Sequence, residues 1–230
     1  IDYTAQINVF AAIYAQNDQG TKRIVGNVMF FGFSFGIHAY TEGGSIQGFD
    51  IVDNVWFQSG ASVPGDDGLK DGCLVGGKQP AARVLLSNNA SWARGPGERG
   101  VALGYDSGVT NDDVVLDGNT LVGALAFNAP WKSITMNANS VYGNVVGTDP
   151  NQHPGNQFST TAPVKNESLL IPNDYDGSRA HLIAYDWEGS GSVNVDLGAV
   201  VEVGANYAVY SVYDLWGEPV VSGVYDGGSV

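Results

Sequence analysis

Along the first two thirds of the chain two hydrophobic patterns take turns. One is a small residue followed by alternating positions: Ala12-Ile13-Tyr14-Ala15, Gly36-Ile37-His38-Ala39, Gly72-Cys73-Leu74-Val75, Gly100-Val101-Ala102-Leu103 and Gly123-Ala124-Leu125-Ala126. Alternation sends successive side chains to opposite faces, so each copy predicts a short β-strand. The other is an apolar residue, two variable positions and an Asn, which ends at Asn27, Asn54, Asn88, Asn119 and Asn139. The step from strand to Asn stays between the 14 residues of Ile13 to Asn27 and the 18 of Val101 to Asn119. Such constancy predicts one turn of a β-solenoid per copy, about five coils, with no amphipathic helix of the kind βαβ units need. Equivalent strands then lie about 4.8 Å apart, close enough for the Asn side chains to form a hydrogen-bonded ladder. Ile13, Ile37, Cys73, Val101 and Ala124 are expected inside. Tyr14, His38, Leu74, Ala102 and Leu125 are expected outside, followed two residues on by Gln16, Tyr40, Gly76, Gly104 and Phe127.

Both patterns stop where Gly, Asn, Thr and Pro become frequent, as in Gly147-Thr148-Asp149-Pro150. This divides the chain into a solenoid over 1–143, a linker over 144–166 and a second unit over 167–230. In the second unit Arg179–Tyr185, Ser192–Leu197, Tyr207–Val212 and Glu218–Tyr225 alternate and are bounded by Gly or Asp, which predicts antiparallel strands on short turns. The chain opens at Ile1 and closes at Val230 directly after a predicted strand, so both ends read as cut from something longer.

The alternation around Gly36-Ile37-His38-Ala39 and the recurring Asn turns resemble the right-handed parallel β-helix proteins of the pectate-lyase-like superfamily, over roughly residues 10–143. Arg179-Ala180-His181-Leu182 and Asp214-Leu215-Trp216-Gly217-Glu218-Pro219-Val220 resemble the small β-sandwich that follows catalytic domains in bacterial carbohydrate-active proteins. The resemblance implies an all-β chain, a right-handed parallel β-helix followed by a small, truncated antiparallel β-sandwich. It also implies a secreted protein that handles a polysaccharide or oligosaccharide along the outer face of one sheet. That architecture carries lyases, hydrolases, esterases and adhesins alike, so it does not choose a reaction.

Composition narrows the partners. The 230 residues include 32 Gly and only 15% charged residues, in keeping with many turns between short strands. Lys and Arg number 10 against 24 Asp and Glu, and the formal charge of −14 repels nucleic acid and anionic membrane surfaces. The single cysteine, Cys73, cannot form an intramolecular disulfide. An uncapped solenoid end is a candidate surface for self-association.

Candidate chemistry gathers on the expected outer face. His38 and Tyr40 side by side suit base and acid roles in abstracting a proton next to a uronate carboxylate, and suit equally well half-buried strand positions beneath a loop. The insertion Gly65-Asp66-Asp67-Gly68-Leu69-Lys70-Asp71 brings Asp66, Asp67 and Asp71, hard oxygen ligands of the type Ca²⁺ takes, and Lys70 as a base or carboxylate clamp; Gly-Asp-Asp-Gly is also ordinary turn chemistry. Trp92, Arg94 and Arg99 form a sugar-binding loop in which an indole face stacks and guanidinium forks grip carboxylates, or Trp92 caps the core. Tyr14, Gln16 and Phe127 extend the face as substrate contacts. The Asp-Asp and His-Gly pairs of polygalacturonases are missing, so a polysaccharide lyase is preferred over a glycoside hydrolase. A non-catalytic glycan-binding or adhesive protein, or an inactive fragment, is the rival expectation.

Overall fold

The alternating segments become strands that stack in parallel on their equivalents one coil away. The computed structural model of the chain describes residues 11–61 and 71–230. It divides into two units between Ala162 and Pro163. In the first, one sheet holds Ile13–Ala15, Ile37–Thr41, Cys73–Gly77, Arg99–Leu103, Ala124–Phe127 and Val145–Val146. A second holds Lys22–Val25, Ile46–Val52, Ala81–Ser87, Asn111–Asp117 and Trp131–Asn137. The third holds Val28–Phe30, Val55–Phe57, Ala90–Trp92, Thr120–Val122, Ser140–Tyr142 and Gln157–Ser159. The chain visits the three in that order, so the unit is all-β and its stacking is compatible with a parallel β-helix.

Register columns make the core. Ile24, Ile51, Leu86, Leu116 and Met136 align in the second sheet, all buried. In the first sheet the inner column is Ile13, Ile37, Cys73, Val101, Leu125 and Val145. Leu125 therefore takes the inward place expected for Ala124. The cause is a bulge: Arg99 pairs with Ala124 but Val101 with Leu125, which leaves Gly100 unmatched and moves the pleat by one residue. A Cβ on Gly100 would meet the Ala124 carbonyl oxygen at 2.7 Å, so only glycine fits there. The same slip turns Phe127 inward, beside Leu103 and buried in the core cluster, so its expected place on the outer face is corrected. Each large apolar side chain so buried contributes about 1.5–3 kcal/mol.

At the corner between the second and third sheets the ladder runs through Asn27, Asn54, Asn89, Asn119, Asn139 and Asn156. From Asn54 onward each side-chain oxygen accepts from the main-chain N–H and the amide of the Asn one coil before; the Asn119 oxygen takes Asn89 N at 3.0 Å and Asn89 Nδ2 at 2.9 Å. From Asn54 onward each amide also donates back to a second-sheet carbonyl, Asn119 Nδ2 to Leu86 O at 2.9 Å. Asn89, not Asn88, occupies the third rung. The residue before each rung up to Asn139 is left-handed: Gly26, Asp53, Asn88, Gly118 and Ala138 have φ between 51° and 66°. Asn tolerates that conformation better than most residues, and Asn88 serves it, its exposed amide donating to the Asp53 carboxylate. Residues 144–166, expected as a linker, contribute two strands to the stack and its sixth rung at Asn156.

The second unit is built differently. Glu167–Pro172 pairs antiparallel with Ala180–Tyr185, and Asn206–Val209 with Val221–Val224. Asn173 Oδ1 closes the first hairpin by accepting from Tyr175 N and Asp176 N. The segment expected as a strand at Ser192–Leu197 makes only an isolated bridge, Asp196 to Ser229. Val195, Leu197 and Tyr225 form the buried centre, and Leu170, Leu182 and Tyr207 from both hairpins pack against it.

Candidate functional site

The residues singled out from the sequence fall into two places on the coiled unit. The first is the outer face of the first sheet. Tyr14 and His38 are register partners, and Leu74 and Ala102 continue their column. The face is mostly covered: His38 is 7% exposed, Leu74 5% and Ala102 0%, whereas Tyr14 at the end of the column is 52% exposed. The imidazole of His38 stacks between Phe35, with centroids 4.3 Å apart, and Tyr40, at 5.0 Å, and meets the edge of Tyr14 at 5.4 Å. Its Nδ1 is buried with no hydrogen-bond partner among the described residues. Burial disfavours the charged ring and lowers its pKa to about 4, so His38 is neutral at pH 7.

Tyr40 donates its hydroxyl to Glu42 Oε1 at 3.1 Å and packs edge-on against Tyr105. Burial first, then the Glu42 carboxylate, pushes its pKa upward, so the phenol stays protonated. Gln16 donates to the Tyr14 hydroxyl at 2.8 Å, which in turn donates to the Tyr40 carbonyl at 3.0 Å. The face therefore holds a neutral base and a neutral acid within one aromatic stack, and that stack leaves little of the imidazole open to a substrate.

The second place is the corner where the third sheet leads back to the first. A cavity of about 20 Å³ lies there, lined by Trp56, Gln58, Gly72, Trp92, Arg94 and Arg99 among others. By the measure of one water-sized sphere, about 10–15 Å³, it has room for one oxygen-sized group. Trp92, Arg94 and Arg99, expected together, do meet here. Arg94 and Arg99 are exposed, and among the described residues neither guanidinium is in an ion pair. Glu98 lies between them on the same rim.

Trp56 and Gln58 escaped the sequence reading. Trp56 is the inward residue of Val55–Phe57, a three-residue strand too short to show alternation, aligned with Met29 and with the small Ser91. Its indole fills the corner so closely that a Cβ on Gly72 would stand 2.0 Å from its Cδ1. Trp56 Nε1 and Gln58 Oε1 are both buried without a partner among the described residues. Gln58 (φ 54°) and Arg94 (φ 64°) are held left-handed, a conformation that costs non-glycine residues about 1–2 kcal/mol.

The calcium expectation rests mostly on Asp66 and Asp67, which lie outside the described residues, as does Lys70, the expected base or carboxylate clamp. Asp71 is half-buried, and its charge adds to burial in raising the pKa of the Cys73 thiol. Among the described residues no group of three or more His, Cys, Asp or Glu side chains could hold a metal ion. No helix among them is long and apolar enough to cross a membrane. Comparison with known proteins finds no matching family model, no matching curated protein and no matching solved structure.

Proposed function

We propose that this protein binds an acidic polysaccharide at the corner formed by Trp92, Arg94 and Arg99, without cleaving it. The proposal includes a right-handed β-helix resembling the pectate-lyase-like superfamily and a small β-sandwich built from the two C-terminal hairpins. One observation carries it: two guanidinium groups outside any described ion pair and a half-buried indole surround one cavity, on a chain whose formal charge is −14. A neutral sugar needs no such concentration of positive charge, whereas a uronate carboxylate is gripped by a guanidinium fork while the ring stacks on an aromatic face.

Isothermal titration with trigalacturonate and with maltotriose tests it. The expected result is saturable binding of the uronate alone, weakened about tenfold by Arg99→Ala and lost progressively with added salt. Equal binding of both sugars, or none, removes the reading. The lyase reading keeps one observation in its favour, the neutral imidazole of His38 stacked on the protonated Tyr40. Ultraviolet-absorbing unsaturated product from a uronate polymer, abolished by His38→Ala, would select it over binding alone.

A further inference from the structure

We propose that the loop joining Asn206–Val209 to Val221–Val224 is the docking surface for a basic segment of another protein, one that carries apolar side chains among its Lys and Arg.

The loop presents residues that the fold does not use. Two tight turns follow one another in it. The first has Val212 and Tyr213 at its centre and is closed by Asp214 N–H, which donates to Ser211 O at 3.0 Å; the second has Leu215 and Trp216. A Cβ on Gly217 would collide with the Asp214 carboxylate, so the second turn closes on glycine and leaves Leu215 and Trp216 at its tip. Turn centres favour Gly, Pro, Asn, Asp and Ser, and a Leu-Trp pair gives a turn nothing that it needs. Trp216 is 98% exposed and Leu215 57%, and the buried centre of the second unit is built without them. Tyr213 is exposed too, as are Tyr210 and Val220 where the loop leaves its strands. The ends of the loop meet, Val220 N–H donating to Val209 O at 2.8 Å, so all five side chains crowd one short loop. A lone exposed apolar residue is ordinary, whereas such a group is the kind of patch that receives a partner.

Charge chooses the partner. After Arg179 the sequence holds no Lys or Arg, and Asp214 and Glu218 flank the tip of the loop, neither in an ion pair among the described residues. A second copy of this chain, a uronate polymer and an anionic membrane all meet like charge there. A neutral sugar stacks on a ring but leaves the carboxylates unused. A Lys or Arg side chain uses both, its cation lying over an indole or phenol face while its charge pairs with Asp214 or Glu218. Apolar residues beside it then cover Leu215 and Val220, and the exposed Trp and Tyr supply the residue types that carry most of the binding energy at protein interfaces.

Fluorescence anisotropy of two labelled peptides, one of alternating Lys and Leu and one of alternating Lys and Gly, tests this on the full chain. The Lys-Leu peptide should bind saturably and the Lys-Gly peptide much more weakly. Trp216→Ser should weaken the Lys-Leu peptide about tenfold, as loss of an interface anchor does, and leave the melting temperature of the protein unchanged. Leu215→Ser and Glu218→Gln should each weaken it about threefold, through lost apolar contact and lost charge. Equal binding by the parent and Trp216→Ser overturns the proposal, as does equal binding of the two peptides, which would make the attraction one of charge alone. A clear fall in melting temperature in Trp216→Ser would show that the ring serves the fold and overturns it too. Phosphatidylcholine vesicles or maltotriose that displace the Lys-Leu peptide from the parent would make the loop a lipid or sugar surface and not a protein one.

Discussion

Two corners of the same coil treat buried polar groups in opposite ways. Between the second and third sheets, Asn54, Asn89, Asn119 and Asn139 are buried, and each side-chain oxygen and amide has its partners. Between the third sheet and the first lie Ser34 Oγ, Trp56 Nε1 and Gln58 Oε1, with His38 Nδ1 on the strand that leaves the corner. These four are the buried unpartnered side-chain polar atoms of the described coiled unit. The first corner repeats in every full coil with one left-handed residue and one Asn; the second changes length and composition from coil to coil. Repetition lets each polar atom meet its copy one coil away, and pairing follows without further design. Where the repeat is broken, polar atoms are left without partners among the described residues. On the proposed reading, stability is concentrated at the regular corner and recognition at the irregular one.

The largest effect that tests this contrast belongs to the ladder. Asn119→Ala leaves the Asn89 main-chain N–H without its acceptor and the Leu86 carbonyl without the Asn119 donor, both inside the stack. Two orphaned groups and a broken chain of mutually polarised bonds cost about 3–5 kcal/mol. Urea unfolding should show a fall of that size. A loss below about 1 kcal/mol would mean that the regular corner is not where the fold is held.

What could be read from the sequence follows the same division. Asn27, Asn54, Asn119 and Asn139 were legible because an apolar residue three positions earlier marks the strand each one ends. Asn156 was not, because His153 stands where that residue should be and its coil lacks a second-sheet strand. The short strands after each Asn were missed, and Trp56 with them, since three residues show no period. Leu125 and Phe127 were misplaced because a bulge at Gly100 shifts the pleat without leaving any mark in the pattern of apolar residues. At the site, Trp92, Arg94 and Arg99 lie within eight residues of one another and came together as expected. His38 and Tyr40 also came together, but burial depends on what covers a strand, which alternation does not report.

A smaller effect sharpens the other side of the contrast. His38 has an ordinary imidazole pKa of about 6.5 in the unfolded chain, and burial lowers it to about 4 in the fold. Above pH 6.5 both states are neutral there and the stability is fully present. Between pH 6.5 and pH 4 only the unfolded chain gains the proton, so stability falls as pH falls, by at most about 3 kcal/mol. His38→Phe keeps a ring between Phe35 and Tyr40 and removes the titration. Denaturant melts of parent and variant at pH 7 and pH 4 should differ in slope, the variant losing less on acidification. Parallel losses would show that His38 is protonated as readily in the fold as out of it, and that its Nδ1 is not sealed.

The smallest effect settles which of two adjacent asparagines belongs to the regular corner. Asn88 is left-handed at φ 51° and exposed, and what its side chain gives is one surface bond to the Asp53 carboxylate. Glycine adopts that conformation without a Cβ clash, and the relief offsets most of the lost bond and the added backbone entropy of the unfolded chain. Asn88→Gly should therefore stay within about 0.5 kcal/mol of the parent, the size typical of surface substitutions. Asn89→Gly removes a rung whose oxygen accepts from Asn54 N and Asn54 Nδ2 and whose amide reaches Ile51 O and Asn119 Oδ1, and should cost as much as the change at Asn119. Urea unfolding of the two neighbouring variants thus separates the left-handed position from the rung. Equal losses at 88 and 89 would mean that both side chains hold the corner, and that the one-residue register of the ladder does not decide its stability.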